Sequence, residues 1–147
     1  MGYRTDVLIG ICNMGYRSDV LIAVAFKNKD HLDEVWAVYC MDPRVQKHNL
    51  AEAWNRADEG DYPVLWYYET SVKWYDGFED VQGVEHLIDV ASDFAEERKH
   101  PYASIKYRIG EEINDTETEE RDDDPDGDML SYLFQKCNIE RHLTHDF

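Results

Sequence analysis

Basic side chains are scarce in this sequence. It sets 15 lysines and arginines against 32 aspartates and glutamates, a formal net charge of −17 over 147 residues. Surfaces that grip phosphates need the opposite balance, so direct nucleic-acid binding and attachment to an anionic membrane are disfavoured and a cationic partner is expected instead. Cysteine is sparse too. Cys12, Cys40 and Cys137 are odd in number and form no CxxC pair, which argues against a disulfide framework and for a reducing compartment. No apolar run approaches the roughly 20 residues that cross a bilayer. The opening also lacks a basic region followed by an apolar stretch, so a soluble, cytoplasmic protein with no membrane partner is expected. Missing as well are GxSxG, a glycine-rich phosphate loop and HExxH. The sequence therefore points to no enzyme, and the adjacent acids Glu111/Glu112 and Glu119/Glu120 belong to a charge run of the kind that faces solvent.

What is present organises around Tyr62 to Tyr75. Its period is two, with Val64, Trp66, Tyr68, Thr70, Val72 and Trp74 on one side and Leu65, Tyr67, Glu69, Ser71, Lys73 and Tyr75 on the other, the pattern of a strand. Val20 to Phe26 is a continuous apolar run, expected as a central strand buried on both faces beside the aromatic one. From Asp30, the expected N-cap, Leu32, Val35, Trp36 and Tyr39 repeat at helical spacing, and Pro43 ends or kinks that helix. A second helix is expected from Asn49 to Gly60, with Leu50, Ala53, Trp54 and Ala57 on one face. A long amphipathic helix runs from about Asp80 to before Pro101, and Tyr102 to Ile109 alternates as a strand ended by Gly110.

Residues 111–128 hold eleven acids and one arginine, which by composition reads as a loosely held loop. A last helix, capped by Asp128, is expected over 129–143 with Met129, Leu130, Leu133, Phe134 and Cys137 inward. The fold class expected is α+β, a sheet of three to four strands with helices packed mainly on one face, a ferredoxin-like sandwich being the first choice. The fourth strand would come from a bend at Thr70-Ser71 or from residues 111–118. Residues 1–11 are nearly repeated by 14–24, identical at eight positions. The first 13 residues are therefore set aside as a duplicated or extraneous segment, the competing reading being two adjacent strands, and 14–147 is taken as one domain.

Three segments resemble a known group of proteins: MGYRSDV at 14–20, SVKWYDGFEDV at 71–81 and KYRIGEE at 106–112. They are similar to small uncharacterised proteins encoded in bacteriophages and prophages. The resemblance implies a viral accessory role in the host cytoplasm, of the kind in which small acidic proteins bind and inhibit host machinery such as restriction or CRISPR complexes. It carries over no catalytic residue.

The constellations with chemical content are acidic. Asp122, Asp124, Asp126 and Asp128 lie in DxDxDG, the opening of a calcium loop, but Leu130 and Leu133 stand where the ninth and twelfth ligands belong. The choice is between a weak Ca²⁺ site and a solvated tract with a helix cap, and no other cofactor is expected. Cys137, His142 and His145 have a spacing that matches no common zinc finger. The residues expected to meet a partner are Glu111, Glu112, Asp115, Glu117, Glu119, Glu120, Asp122, Asp123 and Asp124, with Trp66, Trp74 and Tyr75 as aromatic contacts. The expected function is inhibition of a host protein through its basic surface, with nucleic-acid mimicry as one form that such inhibition takes. The alternatives are a small-ligand or calcium-binding regulatory domain and an enzyme of unrecognised type. Oligomeric state is not legible.

Overall fold

The computed structural model describes residues 15–139 and 143–147; the first copy of the near-repeat lies outside them. The second copy leads into β1 (Ser18–Phe26), buried at every position except Asp19. Val20, Ile22, Val24 and Phe26 enter one hydrophobic cluster, while Leu21, Ala23 and Ala25 enter another. A strand with no polar face can only sit mid-sheet between two layers. β1 does so, paired with β3 (Val64–Val72) on one side and β4 (Tyr102–Gly110) on the other.

The first layer is helical. Asn28, rather than Asp30, caps α1 (Lys29–Tyr39), its Oδ1 accepting from the His31 amide at 2.9 Å. Asp42 caps α2 (Pro43–Lys47), with proline in the first turn, where its missing N–H costs nothing. The helix expected over 49–60 is corrected to one 3₁₀ turn, Leu50–Ala53, followed by β2 (Trp54–Ala57). Asn49 is left-handed (φ 55°) with no side-chain cap, which gives a helix a poor start. Trp54 gains more from pairing opposite Tyr67, where its indole donates to the Tyr39 hydroxyl at 3.0 Å. α3 (Glu79–Arg98) closes this face with Val81, Val84, Leu87, Ile88, Val90 and Ala91 inward.

The other face is covered by α4 (Asp128–Lys136) and a hairpin of β6 (Cys137–Ile139) and β7 (Leu143–His145). The sheet order is β2-β3-β1-β4-β5, antiparallel throughout, with β5 (Thr116–Asp122) on the outer edge. The α+β class stands. The ferredoxin-like sandwich of three to four strands with helices mainly on one face is corrected to a five-stranded sheet covered on both. The expected terminal helix over 129–143 is shortened to Lys136, because Cys137 turns extended (φ −126°) and the chain folds back, Asp146 donating to the Lys136 carbonyl at 2.8 Å. No described helix is long and apolar enough to cross a membrane.

Candidate functional site

The acidic tract is ordered. Its strand, β5, reads TETEERD and is exposed at every residue, so burial cannot be what holds it. Cross-strand charge does much of that work: Glu117 lies opposite Arg108 and Glu119 opposite Lys106, and opposed unlike charges stabilise a strand pair by ~0.2–1 kcal/mol each. The signal was present in the sequence as the alternation Ser104, Lys106, Arg108 facing Glu117, Glu119, Arg121 across a short turn.

Arg108 is the centre of that arrangement. Its Nε donates to Glu117 at 2.9 Å, Nη2 and Nη1 donate to Asp115 at 2.8 and 3.1 Å, and Nη1 also reaches Ser18 Oγ at 3.1 Å. Bidentate pairing of this kind is stronger than a single ion contact. The Asp115 carboxyl is held below its ordinary range, first by Arg108 and then by the Tyr16 hydroxyl, which donates to it at 2.6 Å. The Tyr16 backbone amide donates to the Tyr75 hydroxyl. Gly110 permits this crowding, since a Cβ there would fall 2.1 Å from Asp115 Oδ2 and 2.3 Å from the Tyr16 oxygen. Lys106, buried, meets Glu85 of α3, with Glu117 at 3.8 Å. Burial alone would lower its pKa, but these carboxylates outweigh that and raise it.

The expected contact residues thus divide. Asp115 and Glu117 are engaged by Arg108, and Glu119 lies 3.6 Å from Arg121. Glu111, Glu112, Glu120, Asp122 and Asp123 are exposed and have no cation paired with them among the described residues. Asp124 turns inward: 7% exposed, it accepts from the amides of Asp126, Asp128 and Met129 and so caps α4. Asp122 in turn accepts from the Asp124 amide at 3.0 Å. Among the described residues no group of three or more His, Cys, Asp or Glu converges in a way that could hold a metal ion. Cys137 is buried, its thiol pushed up to about 12 by desolvation; His142 lies outside the described residues.

The aromatics do not share a surface. Trp66 packs on the α4 side against His145, ring centroids 4.3 Å apart, and Trp74 is buried on the α3 side with Tyr67. A bulge separates them: the β1–β3 register shifts between Ser18 and Val20, Ser71 takes φ 57°, and Asp19 accepts from its amide at 2.9 Å. One extra residue reverses the parity of all that follows.

Burial, with the stacked His100 ring 3.7 Å away, lowers the His31 pKa, and burial lowers that of His145. The unfolded chain accepts protons near pH 6.5 that the fold refuses. Stability from these two groups is therefore complete above that pH and lost as pH falls through and below it. Carboxylates such as Asp42, held at about 2, give way only in stronger acid. The melting temperature should drop between pH 7 and pH 5, and replacing His31 and His145 by glutamine should flatten that segment of the profile.

No family model, curated protein or solved structure matches the chain.

Proposed function

We propose that the protein is a non-enzymatic binding protein which presents fixed negative charge to a basic surface on another protein. The resemblance of its MGYRSDV, SVKWYDGFEDV and KYRIGEE segments to phage and prophage proteins makes host machinery, such as a restriction or CRISPR complex, the partner of choice. The observation that carries this reading is β5: a stretch of the acidic tract is a regular strand, wholly exposed, pinned in register to the sheet. Residues 111–128 carry eleven acids and one arginine, −10 of the total −17. Charge held on a rigid surface steers a cationic partner without the ordering cost that a flexible acidic tail meets on binding.

β5 places four acids along seven residues. At about 3.3 Å per residue that is one carboxylate per ~6 Å, roughly a third of the linear charge density of duplex DNA. The strand attracts a basic surface rather than copying a phosphate ladder. The test neutralises exposed acids whose carboxylates have no ion pair among the described residues and no part in the helix start, Glu112→Gln, Glu120→Gln, Asp123→Asn and Asp126→Asn together. A host protein captured from bacterial lysate by the wild-type chain should bind in a steeply salt-dependent way. The variant should bind it at least roughly tenfold more weakly, about 1.4 kcal/mol, with the melting temperature unchanged. Equal affinity would remove the acidic-surface mechanism.

A second reading, a small-ligand domain, draws on a cleft of about 430 Å³ lined by Arg17, Tyr67, Lys73, Trp74 and Asp80. The buried Trp74 indole N–H beside it has no partner among the described residues. A thermal-shift screen with nucleotides and divalent ions tests it.

A further inference from the structure

We infer that the outer edge of β5 is completed by an extended, lysine- or arginine-rich segment of the partner, which adds to the sheet as a sixth strand; this rests on the acidic-surface reading and says how that surface is used. The hydrogen bonds at the ends of the β4–β5 ladder fix which way the backbone faces. Asp123 donates to the Tyr102 carbonyl at 2.9 Å and Gly110 donates to the Asp115 carbonyl at 2.8 Å. In an antiparallel pair such positions alternate. Residues 117, 119 and 121 therefore turn their amides and carbonyls to β4, while Thr118, Glu120 and Asp122 turn theirs outward. Each of these three offers a donor and an acceptor, and β5 has no neighbour on that side among the described residues.

The usual protections of an edge are absent here. β5 contains no proline, its register with β4 is unbroken, no described strand pairs with its outer side, and every one of its residues is exposed. Charge alone guards it, and charge is selective. Antiparallel self-pairing about Glu119 would set that carboxylate against its own copy, which destabilises a pair; the same register sets Glu117 opposite Arg121 twice, but each strand still carries four acids to one arginine in a chain of net −17, so two copies repel. A second copy is therefore disfavoured, whereas a basic strand meets Glu117 and Glu119 on one face and Glu120 and Asp122 on the other. Arg121 interrupts the acids once and so sets the register: the incoming cation must avoid it. The opposite edge, β2, has four residues and an arginine, and offers no comparable ladder.

The probe is a synthetic peptide of alternating lysine and threonine, with a second peptide of the same sequence N-methylated at alternate backbone amides, which keeps every charge and removes one edge's donors. At low salt the first should bind the full chain and slow amide exchange at Thr118, Glu120 and Asp122. The methylated peptide should bind roughly tenfold more weakly. Thr118→Pro, which deletes one outward amide and no charge at a position where an edge tolerates proline, should weaken the unmethylated peptide comparably. Equal binding of the two peptides, or binding with no protection of these amides, overturns strand addition while leaving the acidic surface standing. No peptide binding, or self-association through β5, overturns it too. If in addition the neutralised variant keeps its lysate partner, the underlying reading falls with it.

Discussion

Truncating Leu133 to alanine should destabilise the fold by about 3–4 kcal/mol and lower the melting temperature by roughly 10 °C. Leu133 is fully buried where α4 meets the sheet, in a cluster with Leu21, Ala23, Ile105, Met129 and Leu143. The small residues Ala23 and Ala25 of β1 and Ala103 of β4 let the helix approach closely, and a missing isobutyl group above them leaves a void that rigid strands cannot close. The measurement is urea unfolding: the midpoint should fall with the slope unchanged. Phe134→Ala is the control, since Phe134 is 46% exposed and its loss should cost well under about 1 kcal/mol. Equal effects of the two substitutions would mean that α4 does not dock as described. The outcome bears on function, because this layer backs the same β4 that holds β5 in place.

The contrast between Leu133 and Phe134 also shows where sequence periodicity was informative. The expected inward set, Met129, Leu130, Leu133, Phe134 and Cys137, is itself at three-and-four spacing, but the structure turns the helix so that Met129, Tyr132 and Leu133 face the sheet and Phe134 falls outside. β1, α3 and β4 were legible because burial dictates their patterns: seven consecutive apolar residues, an unbroken three-and-four repeat, and alternation ended by glycine. β2 was not, because Leu50, Ala53, Trp54 and Ala57 suit a helix equally well, and only the Tyr39 hydroxyl and Tyr67, distant in sequence, favour the extended form. The aromatic strand was recognised, yet the faces of Val72 and Trp74 were reversed, since a bulge stabilised by Asp19 from another strand leaves no local mark. β5 was the largest miss. Composition says that TETEERD cannot bury, and it does not; what composition omits is that Lys106 and Arg108 stand opposite. The candidate site was thus legible in its residues and hidden in its order.

Asp124→Ala should cost about 2–3 kcal/mol, which exceeds an ordinary exposed cap because the carboxylate is buried and serves three amides at once. Gly127, at the N-cap position with φ 72°, has no side chain to substitute for it, so the amides of Asp128 and Met129 would be left without their acceptor. Asp124→Asn keeps one acceptor oxygen and should lose about half as much. The same experiment separates the two meanings of the DxDxDG stretch. In a calcium loop, Asp122, Asp124 and Asp126 would turn their oxygens to a common cation; in this fold Asp122 caps Asp124 and Asp124 caps the helix, so the spacing is already used by backbone amides. Urea midpoints of wild type and Asp124→Ala, taken with Ca²⁺ and with chelator, should differ by the same amount in both conditions. A stability gain from Ca²⁺ in the wild type that vanishes in the variant would return the ion to this loop. Equal differences leave the spaced aspartates as a helix start built from side chains, with Asp123 and Asp126 free to face a partner because Asp124 does not.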